Sequence, residues 1–148
     1  MTAISELSGQ LGAEVGISDW VEITQAKIDQ FAEATGDRQW IHVDPDRAAR
    51  EGPFKTTIAH GFLTLSLMSL MAEKAIPVSG IKMAVNYGLN RVRFTAPVPS
   101  ESRIRGRFNL AEIEAIHGGV QAIWNVSVER EGKEKPCCVA EWVVRYYV

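Results

Sequence analysis

Asp37 and His42 stand five positions apart just past the end of one helical pattern, and His60-Gly61 opens a second, more apolar one. An acid and an imidazole within reach of one water molecule form an acid/base couple. A glycine at a helix N-terminus offers an unhindered backbone N–H, and the helix dipole behind it favours charge on a developing oxyanion. These groups together suit addition of water to a double bond activated by a neighbouring carbonyl.

Each residue also has a plainer explanation. Aspartate after a helix-ending glycine often only caps a turn, and a histidine between Ile41 and Val43 is usually a satisfied, partly buried side chain. Gly61 could serve only the geometry between loop and helix. Taken together, the acid, the imidazole and the His-Gly pair would require three independent coincidences, which favours chemistry. Asp44 before Pro45 reads as the start of a turn, while His60 either caps the second helix or orients the loop before it.

The elements that must position these residues are legible in the pattern. Thr24 is a candidate N-cap, Ile28, Phe31, Ala32 and Thr35 recur at helical spacing, and Gly36 supplies a stop. From Asp37 to Thr57 the period is lost and Pro45, Gly52 and Pro53 gather, with a short helical turn expected after Pro45. Long excursions of this kind tend to carry function. The run from Phe62 to Ala72 is apolar nearly all round, as expected of a helix enclosed by other structure, and Pro77 and Gly80 close it. The second half alternates with period two: Met83 to Leu89, Ile104 to Phe108, Val120 to Val128 and Cys138 to Tyr146 predict strands, with hairpin turns at His117-Gly118-Gly119 and Glu131-Gly132-Lys133. A buried helix followed by antiparallel strands is an α+β order in which the sheet must wrap the helix.

Length and composition bound the rest. The 148 residues fit a single domain, and 46% hydrophobic with 23% charged residues describe a chain able to bury a core. The net charge of −2 gives no electrostatic reason to expect a nucleic acid or an anionic membrane as partner. The first residues lack the pattern of a secretory signal and no apolar run is long enough to span a bilayer, so a cytoplasmic location is expected. Cys137 and Cys138 are adjacent in a strand-like run and read as buried apolar residues rather than a disulfide or metal pair. No internal repeat or low-complexity segment is evident.

The Gly36-Asp37, His42-x-Asp44 and His60-Gly61 wording resembles the hydratase motif of the MaoC-like dehydratases, which include the R-specific enoyl-CoA hydratases, and Gln39-Trp40-Ile41-His42 looks most like their NodN-like branch. The likeness continues through Val85-Asn86-Tyr87-Gly88 and from Val92 to Val98. It implies one hot-dog domain over residues 1–148, an antiparallel sheet wrapped around a central helix from Phe62 to Ala75, in a homodimer joined at sheet edges. Exposure of the C-terminal strand from Trp142 to Tyr147 would supply such an edge.

By the same resemblance Asp37 and His42 are the catalytic pair, with the formal base left open because coupled groups titrate together. Gly61 supports the thioester oxygen, and Ser69 either assists the pair or only bonds back to its own backbone. The implied reaction is reversible hydration of a trans-2-enoyl thioester, carried on coenzyme A or an acyl carrier protein, to the R-3-hydroxyacyl thioester, without cofactor or metal. The acyl chain is expected beside Phe62, Leu65 and Ser66, with Trp40 setting the room available, because Gln39-Trp40 replaces the commoner Asn-Pro of the family. Arg91, Arg93, Arg103, Arg105 and Arg107 either meet coenzyme A phosphates or line a solvated sheet face. Two rival readings remain, an acyl-CoA thioesterase and a non-catalytic acyl-thioester binding subunit, since fold alone does not decide chemistry.

Overall fold

The computed structural model describes residues 1–148. The chain opens with β1 (Thr2–Ala3), a 3-10 helix over Ile4–Gln10, β2 (Glu14–Ile17) and β3 (Val21–Ile23). Helix α1 (Gln25–Thr35) begins where the sequence predicts: the Thr24 hydroxyl accepts from the Lys27 N–H at 3.1 Å, satisfying one of the amides that open a helix. It ends at Gly36, whose φ of 85° lies in the left-handed region open to glycine, with its N–H bonded to the Ala32 carbonyl.

The excursion after Gly36 carries more helix than its sequence announces. A single turn, α2 (Trp40–Val43), precedes α3 (Pro45–Glu51), in which proline occupies the first turn and the Asp44 side chain caps the Arg47 N–H. The turn expected after Pro45 is therefore present, and Asp44 does the capping its sequence position implies.

The expected central helix is divided into α4 (Gly61–Ser66) and α5 (Met68–Ala75), which meet at Leu67. The Ser66 hydroxyl donates back to the Phe62 carbonyl at 2.7 Å, a competitor for the backbone ladder of the kind that bends helices. Nor is the run enclosed all round. Leu63, Thr64, Met68 and Met71 are buried, whereas Phe62 is 68% exposed.

Strand β4 (Val78–Ser79) pairs in parallel with β1. The last four strands are β5 (Met83–Arg93), β6 (Ser102–Ile116), β7 (Gly119–Arg130) and β8 (Cys138–Tyr147). They form an antiparallel sheet in the order β2-β6-β7-β8-β5, with β3 also on β6. Phe108 and Leu110 of β6, Trp124 and Val126 of β7, and Trp142 and Val144 of β8 share a core with Leu63, Met68 and Met71. Apolar alternation thus became one buried sheet face against the paired helices, and this α+β arrangement is the hot-dog fold.

One expectation fails. Strand β8 is not an edge: it is bonded to β7 on one side and β5 on the other. The edges are the short β2 and β3 at one end and β5 at the other, and two register shifts with almost continuous exposure set β5 apart from the other long strands. Alternation in β8 had the same appearance in sequence because an interior strand with one buried face has the same period as an edge strand.

The core makes a direct stability test available. Phe108 is fully buried, so Phe108→Ala is expected to cost about 3–5 kcal/mol. Urea unfolding at unchanged m-value measures it.

Candidate active site

Three chain segments converge beside the start of α4. The first leaves α1 through Gly36 and carries Asp37, which is exposed and whose Oδ1 accepts the Gln39 N–H at a long 3.4 Å. Turn geometry and an outward carboxylate therefore coexist. The second is α2, which presents His42. The third is the stretch before α4, where His60 precedes Gly61.

His42 is 7% exposed, and its ring is oriented by a 2.7 Å bond from Nδ1 to the Ile58 carbonyl. A carbonyl only accepts, so Nδ1 carries the hydrogen and, in the neutral ring, Nε2 is left with a lone pair. The His42 backbone is braced as well, because the Gln25 side-chain amide donates to its carbonyl at 2.7 Å and accepts from the Thr57 hydroxyl. Burial pushes the His42 imidazole below its ordinary value. The Ile58 bond opposes that push, His60 adds to it, and Asp37 opposes it. The ring is thereby held neutral at pH 7, with Nε2 free to accept a proton.

Asp37, His42 and His60 bring a carboxylate oxygen and two ring nitrogens within 4.8 Å of one another. A water making hydrogen bonds of about 2.8 Å spans a gap of that size. A carboxylate and two imidazoles are also the donors of many transition-metal sites, but here the two rings are stacked, with centroids 3.9 Å apart and an interplanar angle of 24°. Their lone pairs therefore lie in two nearly parallel planes, a poor arrangement for meeting at one point. His42 Nδ1 and His60 Nε2 are moreover already bonded to carbonyl oxygens. The pair of rings does not fit a shared ion.

Gly61 is the first residue of α4, so no turn of the helix can use its N–H. The ring of Phe94 lies against its Cα: a Cβ there would sit 2.9 Å from two Phe94 ring carbons. His42 and Gly61 open onto one cavity of about 360 Å³, together with Thr64, Phe94 and Ala59. Thr64, buried on the inner side of α4, brings a hydroxyl to this cavity beside that of Thr95. Its position three residues after Gly61 is the only trace it leaves in the sequence.

Other expected residues lie elsewhere. Phe62, Leu65, Ser66 and Ser69 share a neighbouring groove of about 340 Å³ with Tyr87 and Trp142. Ser69 also lines a larger hollow of about 620 Å³ toward Ala72, Ile76 and Val144. Ser69 is thus beside the apolar groove and outside the lining of the His42 cavity. Trp40 is half-buried with the Arg47 guanidinium 4.3 Å over its ring, and lines neither space. Arg103, Arg105 and Arg107 pair with Glu131, Glu129 and Glu14, the solvated-face alternative, while Arg91 and Arg93 make no ion pair and border a shallow outer recess. Burial pushes the thiols of Cys137 and Cys138 up to about 11 and about 12, which leaves them inert at neutral pH.

A family model described as the MaoC like domain matches residues 6–131. The chain is 54% identical over 145 residues to 3-hydroxyacyl-thioester dehydratase Z of Mycobacterium tuberculosis, covering 97% of this chain and 95% of that one. It is 46% identical over 143 residues to Nodulation protein N of Rhizobium meliloti, at 95% and 89% coverage. The solved structure of unliganded R-hydratase PhaJ1 from Pseudomonas aeruginosa matches with a TM-score of 0.71 and 25% identity over 90% of this chain and 82% of that one. The chain belongs to the MaoC-like dehydratase family. No helix is long and apolar enough to cross a membrane.

The neutral His42 ring yields a pH dependence. Its folded-state value lies below 6.5, so the Nε2 lone pair is retained as pH falls past 6.5 and is lost only when the lowered value is crossed. The acid limb of kcat/KM is expected to turn down below pH 6.5. A rate profile between pH 4.5 and 8 checks it.

Proposed function

We propose that this chain is an R-specific enoyl-thioester hydratase, adding water to a trans-2-enoyl thioester to give the R-3-hydroxyacyl thioester and running the reverse dehydration. The observation that carries the reading is a carboxylate oxygen of Asp37 and a ring nitrogen of His42 within 4.8 Å of each other, with His42 sharing a cavity with a helix-first amide that no turn of the helix uses. The similarity to a 3-hydroxyacyl-thioester dehydratase and to an R-hydratase supports it.

In the forward direction a water held between Asp37 and His42 gives up a proton to the pair as its oxygen bonds to C3. The π electrons shift toward the thioester, whose oxygen takes up charge against the Gly61 N–H. C2 then recovers a proton from the same pair, so the pair ends as it began and no cofactor or metal is consumed. The steps are assigned to the pair rather than divided between its two members. The acyl chain lies in the apolar groove along Phe62, Leu65, Ser66 and Ser69.

The test is hydration of crotonyl-CoA. Asp37→Asn and His42→Ala are each expected to lower turnover by roughly 100-fold or more at matched folded protein. Near-wild-type hydration by either variant overturns the assignment. A thiol reagent in the same assay separates the rivals: release of free coenzyme A marks a thioesterase, whereas binding without turnover marks a non-catalytic subunit. Activity is expected to survive a chelator.

The protein is further proposed to act as a homodimer. Met83, Val85, Tyr87 and Leu89 are exposed along the unpaired β5 edge, with Phe62 and Phe94 nearby. An open apolar edge of this length invites pairing, and pairing β5 with its own copy about a two-fold closes the assembly. Light scattering at micromolar concentration is expected to give twice the chain mass, and Tyr87→Lys with Leu89→Lys to shift it to one. A monomeric wild type contradicts the dimer.

A further inference from the structure

We propose that His60 is the positioning residue of the Asp37/His42 pair, holding the acid's backbone and the base's ring in one geometry against the Gly61 amide. The inference rests on the reading of Asp37 and His42 given above and assigns a task to a residue that touches neither water nor acyl chain in that reading.

Three contacts of one side chain carry it. The His60 Nε2–H donates to the Asp37 carbonyl at 2.9 Å, across 23 residues of sequence. The ring stacks on His42 at 3.9 Å, and on another side meets Phe31 of α1 at 4.9 Å and 55°. Its own backbone leads directly into Gly61. The imidazole of one residue therefore touches the segment bearing the acid and covers a face of the His42 ring, while the same residue's backbone leads into the Gly61 amide.

Helix capping does not account for it, because the His60 side chain makes no capping hydrogen bond to α4. Nor does packing. His60 is 3% exposed, and its Nδ1 is buried with no partner. An orphaned polar atom destabilises the fold, and a phenylalanine would fill the same space between Phe31 and His42 without it. What phenylalanine lacks is the donor to the Asp37 carbonyl. Reacting groups displaced by about 1 Å can lose roughly 100-fold in rate, so a donor that fixes the acid has a use the core does not explain.

The experiment compares His60→Phe, which keeps a ring and removes both nitrogens, with His60→Gln, whose side-chain amide replaces the Nε2–H donor. Thermal unfolding, crotonyl-CoA kinetics and backbone amide hydrogen exchange are measured on both and on wild type. His60→Phe is expected to keep or raise the melting temperature and to lower kcat by 10-fold or more with KM changed less than two-fold. Exchange at residues 37–42 should rise in that variant. His60→Gln is expected to recover at least part of kcat and to restore exchange protection.

A merely structural His60 would make activity follow the melting temperature and would give glutamine no advantage; that result, or a His60→Phe kcat within two-fold of wild type, overturns the proposal. The exchange readout does not depend on the reaction. Inactive wild type with the expected exchange pattern would refute the hydratase reading and leave the positioning role standing, whereas active wild type with unchanged exchange would do the reverse.

Discussion

The site depends on a short stretch of backbone, residues 57–60, being stitched from both sides. On one side the Ile58 N–H donates to the Ile41 carbonyl and the Ile58 carbonyl accepts from His42 Nδ1; on the other the Ala59 N–H donates to the Val98 carbonyl, and the Ser100 N–H to the Thr57 carbonyl. Thr57 and His60 are buried, and buried backbone must find partners or pay the desolvation penalty. Satisfying those groups fixes α2 against the stretch that starts α4. The His42 imidazole is oriented by the same bonds that hold the loop together, which is why a long irregular excursion can carry a defined geometry.

Division of environment follows from that stitch. His42 lies beneath the stretch and is largely withdrawn from bulk solvent, and burial is the largest influence lowering its proton affinity. Asp37 lies outside it, exposed, on a turn whose left-handed glycine fixes where the chain leaves α1. One partner is dry and the other wet, yet a carboxylate oxygen and the ring nitrogen remain within 4.8 Å. Gln25, at the first turn of α1, reaches across to the His42 carbonyl, so both groups are referred to the same helix.

What could be read in the sequence was what local chemistry decides. Thr24 and Gly36 mark the ends of α1 because capping and positive φ are properties of single residues. The long strands and the turn at Gly118 were visible because a half-buried strand has period two whatever its neighbours. The acid, the imidazole and the His-Gly pair were visible as residue types, but the task of His60 was not. Its partner lies 23 positions away, and no spacing rule connects a loop carbonyl to a ring that far along the chain. Strand order failed for the same reason: β8 pairs with β5 across about 45 intervening residues (from Arg93 at the end of one to Cys138 at the start of the other), and only that pairing reveals which strand is the edge. The break at Leu67, beside the Ser66 hydroxyl that bonds back to the Phe62 carbonyl, leaves no mark in the apolar periodicity.

Strand β5 connects the sheet edge to the chemistry. It ends at Arg93, and the next four residues, Phe94, Thr95, Ala96 and Pro97, all wall the cavity that holds His42 and Gly61. Phe94 packs against Gly61 so closely that no side chain fits between them, and its ring meets Phe62 edge-on at 6.2 Å. Thr95 is tied down by its N–H to the Cys137 carbonyl and by its hydroxyl to the Pro136 carbonyl, beside the start of β8. The wall behind the Gly61 amide is thus an extension of the edge strand, and any displacement of β5 along β8 is carried to Phe94 within one residue. Two long strands paired at nine positions resist such sliding, because slipping by one residue turns every side chain to the opposite face. The amide of Gly61 therefore takes its position from the register of the sheet, while His42 takes its position from the loop stitched against it.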